Sequence, residues 1–292
     1  MTSDNTSPHA QKTGAPASEA TAPAAHREPN RKVERRTVLA ALGIGAAGLG
    51  LVGAASPSQA SAVRSARAKT AAGTQPACVL APEVTAGPYY IDEELIRRNI
   101  AEDCEGLPLE TRIIVVHGTE CTPIPGAEVE VWMCDAGGYY SGHLDVSPDV
   151  PPKGSEHLEP TDSSRFQRGM QIADRRGEVR FRSIYPGWYY GRAVHIHITV
   201  HVDGLEVHTG QLYFPEEINK KVALMEPYVR HTGTRRIPNE EDIGYLNYGG
   251  EKSTLDVRPF RPHRPELGYL ASITTGVIPG QTPPEPTFPP SA

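Results

Sequence analysis

The run Tyr185-Pro-Gly-Trp-Tyr-Tyr-Gly-Arg-Ala-Val-His-Ile-His-Ile-Thr-Val-His201 gathers residue types that could hold a metal ion. In an extended chain, residues i and i+2 point to the same side. His195 and His197 therefore project together, while Ile196, Ile198 and Val200 project the other way, toward a core. Two imidazoles on one rigid strand make half of a metal site. The H-x-H spacing alone does not separate a ligand pair from two surface histidines, and copper and zinc sites use it as well. His201 shares the parity but lies about 13 Å beyond His197 at ~3.3 Å per residue, which makes it a surface residue.

Tyrosines narrow the chemistry. Tyr139 and Tyr140 stand in Gly-Gly-Tyr-Tyr-Ser-Gly, and Tyr185, Tyr189 and Tyr190 come just before the histidines. A phenol titrates near pH 10, so only a strongly acidic cation binds it as phenolate at neutral pH. Iron(III) is hard and trivalent and favours anionic oxygen over thiolate. Two tyrosinates and one hydroxide would cancel its charge and leave a neutral site that can be buried without a large desolvation penalty. The ordinary role of such a tyrosine is packing, with its hydroxyl on a backbone partner, and most of these five must do that. Strand parity leaves Tyr139 against Tyr140, and Tyr189 against Tyr190, open, because both pairs lie in turns.

The elements that must position these groups are short strands. Ala127–Asp135 alternates Val129, Val131 and Met133 with Glu128 and Glu130, and Glu178–Ile184 alternates Val179 and Phe181 with Arg180 and Arg182. Alternation of this kind marks strands with one buried face. Arg112–Gly118, Ala193–Val202, Leu205–Phe214 and Tyr269–Val277 complete the set, and Glu216–Met225 is the one helix expected, closed by Pro227. The 28 prolines and 28 glycines fit many turns. The expected fold is all-β, a sandwich with long loops and few short helices.

Arg35–Arg36, the apolar run Val38–Ala55 and the small residues Ala60–Ser61–Ala62 are the parts of an export signal, and the paired arginines point to the twin-arginine route. The run is about long enough to be a retained membrane anchor, but five glycines thin it. Expected boundaries are a leader and signal over 1–62, a linker over 63–77, a catalytic domain over 78–279 and a Pro-rich tail over 280–292. On this reading the protein is secreted and meets a membrane only during export. The chain carries a net charge of −6, and residues 1–62 hold six Lys/Arg against four Asp/Glu, so the body stands at −8. That sign excludes a non-specific nucleic-acid binder. Four cysteines in an exported chain suggest two disulfides, and the sequence-adjacent pairing Cys78–Cys104 and Cys121–Cys134 is the expectation.

Pro125-Gly-Ala-Glu-Val-Glu-Val-Trp-Met-Cys-Asp-Ala-Gly-Gly-Tyr-Tyr-Ser-Gly142, Phe166-Gln-Arg-Gly169, Ile184 to His197 and Gln211-Leu-Tyr-Phe-Pro215 together resemble the intradiol ring-cleavage dioxygenases, and Thr85-Ala-Gly-Pro-Tyr-Tyr90 looks like that family's substrate-mouth segment. The resemblance runs over about residues 78–278. It implies an immunoglobulin-like core and an iron(III) cofactor held by Tyr140, Tyr189, His195 and His197. It places Arg192 and Gln211 at the active site and implies a small aromatic diol and O2 as substrates. The long N-terminal helical segment through which catechol dioxygenases dimerise has no counterpart, so that mode of association is not implied. Two other readings stay open: a copper or zinc sandwich protein drawing on His143, His201 or His208, and a non-catalytic module that carries only the fold.

Overall fold

The computed structural model describes residues 78, 80–149, 157–284 and 286; the expected leader and export signal, the expected linker and most of the expected tail lie outside them. Among the described residues, eight strands form two four-stranded sheets. One, in the order β4-β1-β8-β7, comprises β1 (Pro108–His117), β4 (Glu178–Ile184), β7 (Asp256–Pro259) and β8 (Tyr269–Val277). The other, β3-β2-β5-β6, comprises β2 (Glu128–Trp132), β3 (Arg168–Ile172), β5 (His195–Val202) and β6 (Leu205–Tyr213). The pairings are antiparallel except β1 with β8.

The core lies between the sheets because each strand gives one parity to it. Leu109, Ile113 and Val115 of β1 and Val179 and Phe181 of β4 meet Val129 and Val131 of β2 and Ile196, Ile198 and Val200 of β5, all buried. The opposite face of the second sheet is buried too. Its row Arg168–Trp132–His197–Gln211 runs straight across β3, β2, β5 and β6 as directly opposed residues, and all four are buried. Chain from the 85–90, 134–146 and 189–194 segments covers that face, with Tyr89, Trp132, Cys134, Tyr140 and Tyr189 forming a second cluster.

Two strand expectations are met to the residue, at β4 and β8. β1 begins four residues before the expected Arg112, as Leu109 and Thr111 continue the inward parity. The helix α1 (Glu216–Val222) stops three residues short, where Leu224 and Met225 turn back onto the carbonyls of Lys221 and Val222 ahead of Pro227. A second short helix, α2 (Ile243–Asn247), is capped by Asp242.

The disulfide expectation is corrected. Cys78 bonds Cys121, with Cα atoms 5.4 Å apart, and Cys104 and Cys134 are free thiols. The reason is topological. Leu80 bridges Gly276 of β8, and the turn after β1 folds back through Val116–Pro123, so both halves of the bond meet at one end of the parallel β1–β8 pair. Cys134 instead follows β2 in the other sheet, buried beside Tyr140.

Candidate metal centre

His195 and His197 leave β5 on the covered face, and both are buried. Ala193 O accepts from His195 Nδ1 at 2.7 Å, which leaves Nε2 as a lone pair. That nitrogen lies 3.0 Å from His197 Nε2 and 3.3 Å from the Tyr189 hydroxyl. The Trp132 indole stacks on the His197 ring with centroids 4.9 Å apart and planes 9° from parallel, which fixes the ring's orientation. Burial, then the nearby Arg192 charge, holds His195 down to about 3; burial, followed by His195 and Arg192, holds His197 well below the usual histidine range. Both are neutral imidazoles at physiological pH, the form that binds metals.

The tyrosine turns are oriented by close backbone approach. Gly187 N donates to Asp135 O at 2.9 Å, and Gly138, at φ +87°, sits where a Cβ would collide with the Trp188 carbonyl. A non-glycine residue there would be strained by conformation and by contact together. The consequence is a clear division within each pair: Tyr140 is 0% exposed and Tyr139 39%, while Tyr189 is 5% exposed and Tyr190 53%. Tyr140 meets Tyr189 edge-on at 5.2 Å and His197 at 6.0 Å, and Tyr89 stacks on its other side at 4.6 Å. Burial, joined by the neighbouring Tyr189, pushes the Tyr140 phenol well above its ordinary range, and burial pushes Tyr189 up to about 12.

Arg192 sits beside this cluster, donating from Nη1 to the Tyr189 hydroxyl at 3.4 Å and from Nη2 to Tyr213 at 3.3 Å and to Gln211 Oε1. Gln211 also reaches Thr85 O at 3.5 Å, and a Cβ on Gly87 would touch the His197 ring at 3.4 Å, so the 85–90 segment closes one side of the site. The structure thus brings together Tyr140, Tyr189, Arg192, His195, His197 and Gln211. Tyr185 is elsewhere, packed on Phe214 in the core with its hydroxyl on Asn219. His201 is half-buried further along β5, and His208 bonds Glu83 at 2.6 Å. His143 lies buried with its ring 5.5 Å from Tyr89. Arg97 bonds Glu102 and the Arg168 carbonyl, and Arg98 faces Glu110 of the first sheet. Asp242, which sequence reasoning missed, is fully buried and bonds Arg192 Nε at 2.9 Å.

The Tyr140 hydroxyl is buried without a hydrogen bond of good geometry, with the Tyr189 hydroxyl beside it. Buried polar atoms are nearly always paired; here two phenols and two imidazoles converge on one another with their pairing incomplete. A hard, strongly acidic cation would satisfy all four, so the donor set fits iron(III). Among the described residues, no three His, Cys, Asp or Glu side chains form a ligating cluster of the kind a copper or zinc reading would draw on.

The fold and site define a β-sandwich that carries a buried cluster of oxygen and nitrogen donors on the outer face of one sheet. No family model matches the chain. It is 35% identical to the intradiol ring-cleavage dioxygenase of Tetranychus urticae, whose structure superposes with a TM-score of 0.65 over 70% of this chain and 98% of that one. A second solved dioxygenase is 34% identical, with a TM-score of 0.64 and the same coverage. Over 155 residues the chain is 26% identical to catechol 1,2-dioxygenase of Acinetobacter baylyi, a stretch that spans 45% of each, so it matches about half the length of that curated relative. The chain belongs to the intradiol ring-cleavage dioxygenase family.

Proposed function

We propose that the protein is an exported dioxygenase that opens catechol-type rings between the two hydroxylated carbons, using iron(III) held by Tyr140, Tyr189, His195 and His197. The convergence of two buried phenols and two neutral imidazoles carries the reading. When bound, iron(III) supplies Lewis acidity and the one-electron chemistry that lets an aromatic diol react with dioxygen at carbon.

The chain's own groups do the rest. His195 and His197 stay neutral and fixed, one by Ala193 O and one by the Trp132 stack. Tyr189 Oη, within reach of both His195 Nε2 and Arg192 Nη1, is placed to exchange a proton with an incoming diol. The Arg192 guanidinium cannot lose its proton and offers a fixed positive charge to negative charge developing on substrate oxygen, a preorganised electrostatic role. Gln211, pinned between Arg192 and Thr85 O, holds the mouth segment to that charge. Tyr89, Tyr140 and Trp132 wall the site with apolar rings, which excludes water and strengthens these interactions.

Oxygen uptake by the iron-loaded protein, screened with catechol, protocatechuate and hydroxyquinol, tests the activity and ranks the substrates. Uptake with at least one diol, dependent on iron, is expected; stoichiometric iron with no uptake on any of them would refute the reading. Export rests on the Arg35–Arg36 signal. Replacing both by Lys keeps the charge but removes the guanidinium pair, and should trap active enzyme in the cytoplasm; unchanged secretion would refute that part.

A further inference from the structure

Arg192 does not aim itself. Its guanidinium ends a flexible side chain, and the partner that orients it comes from fifty residues downstream. Asp242 stands at the head of α2 with both carboxylate oxygens occupied. Oδ2 accepts from Arg192 Nε at 2.9 Å and from Ala193 N at 2.8 Å. Oδ1 accepts from Tyr245 N at 2.7 Å, Tyr213 Oη at 3.2 Å and Arg192 Nη2 at 3.4 Å. The two contacts to Arg192 set the plane of the guanidinium, and with it the approach of Nη1 to Tyr189 and of Nη2 to Gln211.

The Ala193 contact has a second consequence. It anchors the peptide N–H of the residue whose carbonyl takes the His195 Nδ1 proton at 2.7 Å. One carboxylate therefore constrains both the charge beside Tyr189 and the tautomer of His195, the second by way of a backbone it holds in place. The helix is shaped for this contact: at Gly244, a Cβ would come within 2.6 Å of Arg192 Nη2 and 2.5 Å of the Tyr213 hydroxyl. Glycine lets α2 close onto the guanidinium.

We propose that Asp242 is a positioning residue of the reaction, which aims Arg192 and fixes His195 through Ala193, with Gly244 giving it the room. The inference rests on the iron(III) reading of the site but has its own readouts. The full-length Asp242→Asn protein, loaded with iron(III), is compared with wild type by iron content, visible absorption, rate of iron loss to a chelator, and kcat and KM with catechol. Expected are one iron per chain, a shifted visible band, faster iron loss and a fall of about 100-fold in kcat, the scale of a small misplacement at the reacting centre, with KM little changed. In an Arg192→Gln background, Asp242→Asn should cost far less in kcat than in wild type, because the aiming of Arg192 is already lost, while the faster iron loss that reports the His195 contact should persist. Gly244→Ala keeps both charges and should shift the band in the same direction, which keeps the test alive if Asp242→Asn does not fold. A variant that is less heat-stable yet has wild-type kcat per iron, band and chelator rate would make Asp242 a mere helix cap and overturn the proposal. So would kcat losses that multiply in full with Arg192→Gln. Wild-type protein that binds iron but opens no diol would instead refute the proposed function, and the band and chelator rates would still decide the role of Asp242.

Discussion

Tyr140→Phe should make the metal-free protein more stable and the iron-loaded protein less stable. The Tyr140 hydroxyl is buried and makes no hydrogen bond of good geometry, only an imperfect approach to Tyr189. Leaving such a group unsatisfied costs roughly 1–3 kcal/mol, and phenylalanine removes it while keeping the ring, its stack on Tyr89 at 4.6 Å and its edge contact with Tyr189. The missing oxygen leaves a small void that takes back a few tenths of a kcal/mol, so the net gain is about 1 kcal/mol. With iron present the sign reverses. A ligand at 1,000 times its Kd stabilises the native state by about 4 kcal/mol, and the variant loses most of that along with a donor. Urea titrations of chelator-stripped and iron-loaded samples measure both. Tyr139→Phe, at an exposed position, is the control and should lie within about 0.5 kcal/mol of wild type in both states. If Tyr140→Phe weakened the metal-free protein, the hydroxyl would have a structural partner, and the argument that it waits for a cation would fail.

Tyr189→Phe should alter the visible absorption of the iron form and nearly abolish turnover, whereas the exposed Tyr190→Phe should do neither; a bleached Tyr190→Phe would put the register off by one. Burial raises the Glu130 carboxyl from 4.5 to about 8, against the pull of the Tyr90 hydroxyl and Arg168. The folded state then holds a proton that the unfolded chain releases near pH 4.5, so its stability falls as pH rises from there to about 8. Glu130→Gln should accordingly gain about 2 kcal/mol over wild type at pH 8, part of the bound set by 1.36 kcal/mol per pKa unit, and nothing near pH 4; equal gains at both pH values would contradict the buried acid. Breaking Cys78–Cys121, which spans 43 residues, should cost about 4 kcal/mol in the chain-entropy model. Thiol labelling of the unreduced, unfolded protein should find Cys104 and Cys134 and spare the other two.

The strands were legible where inward and outward residues alternate. Val179 and Phe181 against Arg180 and Arg182 gave both ends of β4. β3 carries little strand signal, because Arg-Gly-Met-Gln-Ile has one β-branched residue and a glycine, and β7 is only Asp-Val-Arg-Pro. The histidine pair followed from strand geometry. The tyrosines did not, since the choice between neighbours in a turn depends on what the turn packs against, here Gly138 on the Trp188 carbonyl. The disulfide is not legible from sequence neighbourhood, because Cys121 and Cys134 follow strands of different sheets. Asp242 lay beyond sequence reasoning: it is a loop residue fifty positions from Arg192, and its one local signal was a helix-capping aspartate two residues before a glycine.

The central claim is that the two buried phenols and two imidazoles support intradiol cleavage, and the product tests it most directly. Iron(III)-loaded protein given catechol under isotopically labelled dioxygen should consume one O2 per ring opened. The product should be an open-chain dicarboxylic acid with one labelled oxygen in each new carboxyl group. An aldehyde-bearing product, cleaved outside the diol, or a quinone formed with no label incorporated, would contradict the account.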